Sequence, residues 1–514
     1  MGRKILFITT DQQRFDALGC NGGTVARTPV VDALARAGIR YTRANANNVV
    51  CMPARSTMLT GQYVRTHGVT MNGIPLPDSA PSVAQLLHQG GYHTALFGKA
   101  HFEPMLDLMK QYTETRLAGE GSTGPYRGFE RVELASHTAR GPLHYPVWMA
   151  QQHPQATQGF YRVLNAQLQV NEAGGGDTGA CQVQFNPVPR ALYHTDWVAD
   201  RTIAYLQSLD VDADWFVWLS FPDPHHPWDP PQSELGRVNW RDVSLPAGYP
   251  GSTAACRNIL DGKPTHWRKW FEGELVTNFE APPKFIPAQM TADQIREINS
   301  MTHIENELID EALGRVLATV NARGWDADTD IIYSTDHGEF QGDFGLLFKG
   351  PYHVDSLMRL PLIWRPAPSA KVAAAEIAQP VSQVDLAPTF LQIAGLPVPA
   401  VMQGQALPQS NDEAERQTRR STLTEWDSDL YDVHLHLRTL YQGSDAQGFV
   451  VTRYEPGTLH DGSEGELYNL KEDPQQWVNL WDDPGKQALK QDLLAELSAK
   501  LPPEGPLLAR VSTV

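Results

Sequence analysis

The sequence predicts an α/β protein in which a large, mostly parallel sheet flanked by helices is followed by a smaller α+β domain. Strand-like and helix-like segments alternate over the first hundred residues, as they do in proteins built around a parallel sheet. The strand-like segments are continuous apolar runs, which is typical of strands buried on both faces. The sequence becomes more polar near residue 400, so we expect residues 1–404 and 405–514 to form two domains.

In the first half of the chain, apolar runs at residues 4–9 and 92–97 predict two strands. Residues 30–38 and 82–91 have the spacing of helices, and each segment ends at glycine, a residue that commonly terminates helices. Residues 102–195 mix glycine, proline, glutamine and aromatic residues without a clear period, so we assign no element there.

The second half repeats the pattern, with apolar strand-like runs at residues 215–221, 330–334 and 361–364. Residues 291–320 have helical spacing over a long stretch. The proline-rich sequence PDPHHPWDPP follows the first of these strands, and proline fixes φ and removes a backbone donor. We therefore expect an irregular excursion over residues 229–285.

The predicted C-terminal domain begins near the polar stretch QSNDEAERQTRRS. Residues 448–453 form a strand-like run, and residues 486–501 have the apolar and polar faces of an amphipathic helix. This combination of strands and a helix predicts a small α+β unit packed on the large domain.

Composition limits the partners of the protein. The 514-residue chain carries 42 basic and 59 acidic residues, and this net charge of −17 argues against nucleic acid or an anionic membrane as partner. A small anionic substrate stays compatible, because a local cluster of cations can bind an anion within an acidic protein. The four cysteines are far apart, which predicts neither disulfides nor a cysteine-rich zinc site. The opening lacks an apolar leader and no window reaches the ~20 apolar residues that span a bilayer, so we expect a cytoplasmic protein.

Polar side chains follow four of the predicted strands. They are Asp11, Lys99 with His101, His225, and Asp336 with His337. Ligands of open α/β sheets bind outside the carboxyl ends of the strands, so we expect these side chains to share one site. Strand ends are also polar simply because they reach the surface, but four clusters together favour a site.

The residue types at these strand ends indicate a class of chemistry. Carboxylates suit Ca²⁺, Mg²⁺ or Mn²⁺, and a histidine ligand favours Mn²⁺ or another transition ion. Lys99, Arg55 and Lys349 add positive charge. A divalent metal beside several cations is typical of a site for a tetrahedral oxyanion ester. Hydrolysis of a sulfate or phosphate ester is therefore the predicted class of reaction.

The stretch NVVCMPARSTMLTG places Cys51 just before Pro53, and proline suits the first turn of a helix. Two interpretations of Cys51 are open at this point. A helix N-terminus with Arg55 one turn on would depress the pKa of the thiol and produce a reactive thiolate. A buried cysteine in a helix-capping turn is more often a small apolar side chain.

The run CMPARSTMLTG resembles the Cys-x-Pro-x-Arg…Leu-Thr-Gly signature of the sulfatase family. Further similar segments are GKAH ending at His101, HHP starting at His225, STDHGE, Lys349 and the LYNL segment near residue 470. The resemblance runs from residue 5 to about residue 480. It implies an alkaline-phosphatase-like fold and conversion of Cys51 to formylglycine, whose hydrate is the nucleophile of the family.

The resemblance also implies a role for each matching residue. The implied metal ligands are Asp11, Asp336, His337 and the modified Cys51, with Gln12 as a further candidate. The implied catalytic and substrate-binding residues are Arg55 beside the nucleophile, Lys99 and His101 on the sulfate and the diol, and His225 with Lys349 on the leaving oxygen. The implied cofactor is one divalent metal, with Ca²⁺ as first choice and Mn²⁺ as the alternative.

Two residue pairs depart from the commonest sulfatase pattern. Asp11–Gln12 and Asp336–His337 resemble the choline-sulfatase-like and phosphonate monoester hydrolase branches. Asn72, 21 residues after Cys51 (72 − 51), matches a substrate-contacting asparagine of those hydrolases. The pair Lys99 and His101 is absent from those hydrolases, which favours a sulfatase acting on small or aryl sulfate monoesters.

Two other functions stay open. One is a phosphonate monoester or phosphodiester hydrolase with the same site, promiscuous between both substrate classes. The other is a non-catalytic binding protein in which Cys51 remains a thiol. The expected partners are a small anionic ester, a formylglycine-generating enzyme during maturation and a second copy of the chain in a homo-oligomer.

Overall fold

The structure is a computed structural model of the chain, and it describes residues 3–105, 107, 109–160, 174–276, 280–282, 285–430, 433–444 and 447–512. The large sheet has eight strands. They are β1 Lys4–Thr10, β2 Ile39–Tyr41, β3 His93–Gly98, β4 Arg131–Leu134, β5 Trp215–Ser220, β6 Thr329–Thr335, β7 Leu362–Arg365 and β8 Ala375–Ile377. Their spatial order is β8-β2-β7-β6-β1-β5-β3-β4.

Neighbouring strands of this sheet run parallel, except that β7 is antiparallel to both β2 and β6. The central strands β1, β5 and β6 are buried along their whole length, which explains their continuously apolar sequences. The predicted α/β class with a mostly parallel sheet is confirmed. The antiparallel β7 was not predicted, because the sequence of a buried strand is independent of its direction.

Fourteen α-helices are found among the described residues, and the predicted ones are present. They are α1 Pro29–Ala37, α2 Cys51–Thr60, α3 Val64–His67, α4 Val83–Gln89, α5 Thr113–Leu117, α6 His144–Gln152, α7 His194–Ser208, α8 Thr253–Leu260, α9 Thr265–Phe271, α10 Ala292–Ala322, α11 Asp355–Met358, α12 Leu386–Ile393, α13 Asn411–Gln417 and α14 Gln487–Lys500. The long α10 begins where Thr291 and Gln294 exchange side-chain and backbone hydrogen bonds in a capping box.

A second sheet lies near the C-terminus. Its antiparallel strands, in order, are β9 Ser421–Leu430, β10 Val433–Gln442, β11 Phe449–Glu455 and β12 Gly465–Asn469. Apolar residues of α14, such as Leu493 and Leu497, form one cluster with Leu440 and Val451 of the sheet. This unit has the α+β character expected for the smaller domain, while the division at residue 405 stays a prediction.

The region between residues 102 and 195 has short elements that the sequence did not indicate. Besides β4, α5 and α6, it includes the two-residue strands Gly174–Gly175 and Ala180–Cys181. Elements this short have too few residues to establish a period, which is why the pattern was unreadable. Among the helices of the described residues, none is long and apolar enough to cross a membrane.

A buried ionic network connects the excursion after β5 to the second sheet. Lys263, between α8 and α9, donates to the hydroxyl of Tyr468 at 2.5 Å and to the carbonyl of Gln476 at 2.8 Å. Its ammonium lies 3.6 Å from the Glu466 carboxylate. All of these groups are buried, so the network depends on each charge keeping its partner.

We expect Lys263→Met to destabilise the protein by about 3 kcal/mol or more, because the buried Glu466 carboxylate loses its cation. Chemical unfolding of the full chain measures the loss. Lys269→Met on neighbouring α9, at a side chain 41% exposed, is the matched control and should change stability by under about 0.5 kcal/mol. Equal stability of the two variants would contradict the role assigned to the network.

The same variant has a predicted pH dependence. Burial lowers the pKa of Lys263 to about 8 in the native protein, whereas the pKa of a lysine in an unfolded chain is about 10.4. Between these values the unfolded chain binds more protons than the native one, so the contribution of Lys263 to stability rises with pH. The stability advantage of wild type over Lys263→Met should therefore grow between pH 8 and 9.5.

Candidate active site

The polar residues that follow β1, β3, β5 and β6 meet at one edge of the large sheet. They are Asp11, Lys99, His101, His225, Asp336 and His337, and all are at most 4% exposed. The four strands are parallel neighbours, so their carboxyl ends open onto the same space. The structure thus brings together the groups that the sequence indicated, together with the N-terminus of α2.

Helix α2 begins at Cys51, with Val50 in extended conformation before it and Pro53 in the first turn. Every residue of this helix is buried. No face of this ten-residue helix is exposed, so α2 is a core element, and its first turn faces the strand ends. Its start at Cys51 agrees with the predicted position of this residue at a helix N-terminus.

Arg55 connects α2 to the strand ends. Its guanidinium donates to Asp336 Oδ2 at 2.8 Å, to Asp11 Oδ2 at 3.2 Å, and to the carbonyl of Lys99 and the hydroxyl of Ser220, at 2.8 and 2.9 Å. This residue is fully buried, and its planar fork satisfies two carboxylates at once. Arg55 therefore holds the two predicted metal-binding carboxylates in place.

Asp11, Cys51, Asp336 and His337 form a compact donor group. One ligand atom from each lies within 4.8 Å of the others. His337 Nδ1 donates to the carbonyl of Gly338 at 2.9 Å, so the lone pair of Nε2 faces Cys51 Sγ, 3.2 Å away. Two carboxylates and an imidazole oriented by a backbone carbonyl fit a divalent metal.

Gln12 is adjacent to this donor group. Its backbone N–H donates to Asp336 Oδ1 at 3.0 Å. Its amide oxygen accepts from Lys349 Nζ at 2.6 Å, and its amide nitrogen contacts Glu339 and, at 3.0 Å, His226 Nδ1. The side chain of Gln12 is thus engaged by groups outside the donor cluster, and its role as a metal ligand stays a prediction.

Burial and the charge of Asp11 raise the pKa of the Cys51 thiol well above its usual value. Lys99 Nζ, 3.6 Å from the sulfur, opposes this shift but does not reverse it. Of the two interpretations of an unmodified Cys51, the raised pKa favours the buried thiol over the reactive thiolate. An unmodified Cys51 would be a protonated thiol, because the fully enclosed sulfur is removed from water.

Lys99 and His101 follow the carboxyl end of β3, and Lys99 Nζ lies near the sulfur of Cys51. Lys99 is ion-paired with Asp11, and its ammonium contacts His137 Nε2 at 3.2 Å. Both ring nitrogens of His101 are buried, and neither has a hydrogen-bond partner among the residues that the structure describes. Burial and the charges of Lys99 and Arg55 hold the pKa of His101 well below its usual value, so the ring is neutral.

His225 and Lys349 form a second pair at the site. Lys349 Nζ lies 2.9 Å from His225 Nε2. His225 Nδ1 contacts the carbonyl of His226, which can only accept, so Nε2 carries no proton in the neutral ring. Burial, with His226 and Lys349 nearby, holds the pKa of His225 well below its usual value. The proton shared by this pair therefore resides on Lys349.

The sequence did not indicate two residues of the site. His137 follows β4, stacks on His225 with ring centroids 3.9 Å apart, and accepts from Lys99. Glu280, in the excursion before α10, is ion-paired with Lys349. Burial acts to raise the pKa of Glu280, but the charge of Lys349 lowers it well below its usual value, so the carboxylate is ionised. Both residues belong to irregular segments, where no periodicity marks a position.

Three aromatic side chains close in sequence to residues of the site have structural partners. His67 contacts the Thr57 hydroxyl at 3.0 Å. Trp228 is fully buried and stacks on Phe348 with ring centroids 6.0 Å apart. His226 packs edge-on against both of these rings. Cys20, Cys181 and Cys256 are free thiols.

Comparison with known proteins gives matches over most of the chain. The Sulfatase family model matches residues 3–396, and the model of the N-sulphoglucosamine sulphohydrolase C-terminal region matches residues 342–501. An arylsulfatase of Clostridium perfringens is 25% identical, over 93% of this chain and 90% of its own. The multifunctional alkaline phosphatase superfamily protein PehA of Trinickia caryophylli is 27% identical, over 95% and 93%. A crystal structure of the phosphonate monoester hydrolase of Agrobacterium radiobacter has the same fold, with a TM-score of 0.76 at 23% identity, covering 97% and 96% of the two chains.

We expect the protein, once freed of metal by a chelator, to bind one divalent ion per chain. His337→Ala should weaken this binding by at least about tenfold, because it removes a ligand and leaves Arg55 paired with both carboxylates. Calorimetric titration with Ca²⁺ and with Mn²⁺ measures both affinities. His436→Ala, at a partly exposed position in the second sheet, is the matched control. Undiminished binding by His337→Ala would contradict the assigned donor group.

Proposed function

Because the chain belongs to the sulfatase family of hydrolases, we propose that it hydrolyses small or aryl sulfate monoesters with a nucleophile derived from Cys51. The observation that carries the proposal is the position of Lys99 Nζ, 3.6 Å from Cys51 Sγ, beside a group of side chains suited to a divalent metal. A preorganised cation next to the nucleophile is what transfer of an anionic group requires.

Two groups absent from the gene-encoded chain would supply part of the chemistry. Formylglycine at position 51 would supply, as its hydrate, a hydroxyl that attacks sulfur and a second hydroxyl that allows sulfate to be eliminated. A divalent metal held by Asp11, Asp336, His337 and residue 51 would polarise the ester oxygens. In this arrangement the present Cys51 Sγ stands in for the oxygen atoms of the modified side chain.

In this proposal, Arg55 orients the two carboxylates and Lys99 binds the sulfuryl group of the substrate. Arg55 fixes both carboxylates and keeps a positive charge within one helical turn of residue 51. Lys99 Nζ, 3.6 Å from the Cys51 sulfur, is in position to donate to the sulfuryl oxygens as charge builds on them. Neither residue needs to move, which keeps the reorganisation cost of the transition state low.

His101 and Lys349 are the groups that we assign to proton transfer. The neutral ring of His101, which has no hydrogen-bond partner among the described residues, is suited to accept the proton of the second hydroxyl during elimination of sulfate. Lys349 carries the proton that it shares with His225 Nε2, so this pair is suited to protonate or stabilise the departing alcohol or phenol oxygen. The alcohol oxygen gains this proton as its bond to sulfur breaks.

A second candidate function is hydrolysis of phosphonate monoesters or phosphodiesters at the same site. The Asp11–Gln12 and Asp336–His337 pairs, which resemble both branches, are compatible with it. Asn72 supports it, because its amide oxygen accepts from the backbone N–H of Met52 at 3.0 Å beside Cys51. The relative from Trinickia caryophylli is described as multifunctional, and we include promiscuity between the two substrate classes in the proposal.

Steady-state kinetics on p-nitrophenyl sulfate and p-nitrophenyl phenylphosphonate decide between these candidates. We expect a higher kcat/KM for the sulfate. Lys99→Ala should lower this value by about 10²–10³-fold, since a preorganised cation is lost from the sulfuryl group. Lys471→Ala, at an exposed lysine of the C-terminal part, controls for charge removal. A large preference for the phosphonate would select the second function.

Peptide mass spectrometry tests the proposed modification. In protein from a host with the maturation enzyme, the peptide containing residue 51 should be about 18 Da lighter than the cysteine form, because SH and H are replaced by one oxygen. The peptide with Cys181 should keep its thiol mass and is the internal control. A purely thiol peptide at residue 51 would leave the nucleophile unsupported and would favour the non-catalytic binding protein.

A further inference from the structure

Glu280 places a carboxylate among the donors expected to hold the substrate. Its Oε2 lies 3.3 Å from His225 Nε2 and 3.1 Å from His226 Nε2, and it is ion-paired with Lys349. Its Oε1 accepts from Asn72 Nδ2 at 3.4 Å. The side chain is 11% exposed, so this negative charge is enclosed with the anion-binding groups and is poorly screened by water.

The position of Glu280 is fixed from its backbone as well. Its carbonyl accepts from the side chain of Gln182 at 2.7 Å, and the carbonyl of Gln182 accepts from the backbone N–H of Trp228 at 2.9 Å. Gln182 and Trp228 are buried. The backbone of Glu280 is thus anchored through Gln182 to Trp228, which follows His225 and His226 in the chain. The position of the carboxylate therefore depends on backbone contacts as well as on those of its side chain.

The charges at the site are balanced in pairs. Arg55 is engaged by Asp336 and Asp11, and Lys99 is paired with Asp11. Lys349, the cation on the leaving-group side, is paired with Glu280. Glu280 therefore reduces the positive charge that Lys349 offers to a substrate.

We propose that Glu280 is a specificity-determining residue that admits esters with a single negative charge and disfavours doubly charged phosphate monoesters. The inference rests on the proposed ester hydrolysis at this site. Singly charged esters include sulfate monoesters, phosphonate monoesters and phosphodiesters, so Glu280 acts alike on both candidate substrate classes. An aryl sulfate and an aryl phosphate have nearly the same shape, and at pH 8 they differ by one charge, because the second phosphate pKa is about 6.

Glu280→Gln keeps the size of the side chain and removes its charge. We expect the ratio of kcat/KM for p-nitrophenyl sulfate to kcat/KM for p-nitrophenyl phosphate, at pH 8, to fall at least about tenfold in this variant, since like charges in an enclosed site repel strongly. Glu280→Asp retains the charge and should keep most of the discrimination. Glu274→Gln, at an exposed position of the same segment, should leave the ratio unchanged.

Binding measurements separate this inference from the proposed function. The two proteins compared are metal-loaded Cys51→Ala, which lacks the nucleophile, and the same protein with Glu280→Gln added. Calorimetry gives the affinity of each protein for phenyl sulfate and for phenyl phosphate. The inference predicts that Glu280→Gln tightens phenyl phosphate at least about tenfold more than phenyl sulfate. An equal effect on both ligands overturns it. Charge discrimination in binding without hydrolysis of any ester by the wild type supports the inference and refutes the proposed function.

Discussion

The buried guanidinium of Arg55 is the contact on which the site depends. It bonds to carboxylates that follow β1 and β6 and to backbone and hydroxyl oxygens at the ends of β3 and β5. Four strand ends and the first turn of α2 are thereby joined by one side chain. An unpaired buried charge would be very costly, so the carboxylates and Arg55 require each other. The metal donor group exists because this pairing holds Asp11 and Asp336 within reach of Cys51.

Two pairs of basic side chains complete the site around that contact. Lys99 and His101 follow the end of β3, and Lys99 Nζ lies 3.6 Å from Cys51 Sγ. Lys349 and His225 share a proton. Burial lowers the pKa values of both histidines, so charge near residue 51 is carried by lysine and arginine while the imidazoles remain neutral.

Much of the fold and the site was predictable because the signals are local. Apolar runs such as residues 330–334 establish a strand, and the polar residues directly after it, Asp336 and His337, must emerge at its carboxyl end. The helix start at Cys51 follows from Pro53 in the first turn. The short elements between residues 102 and 195 were not predictable, since they have no period, and the direction of β7 depends on its neighbours.

The sequence by itself determined which strands end at the site and which of their residues reach it. The reason is that the carboxyl ends of neighbouring parallel strands lie at the same edge of a sheet. It also marked Cys51 and Arg55 through a contiguous motif. The tertiary structure alone decided that the Cys51 thiol is enclosed and not activated, since burial depends on the whole core. It alone brought His137 and Glu280 to the site, because irregular segments are positioned by distant contacts such as that between Gln182 and the Glu280 carbonyl.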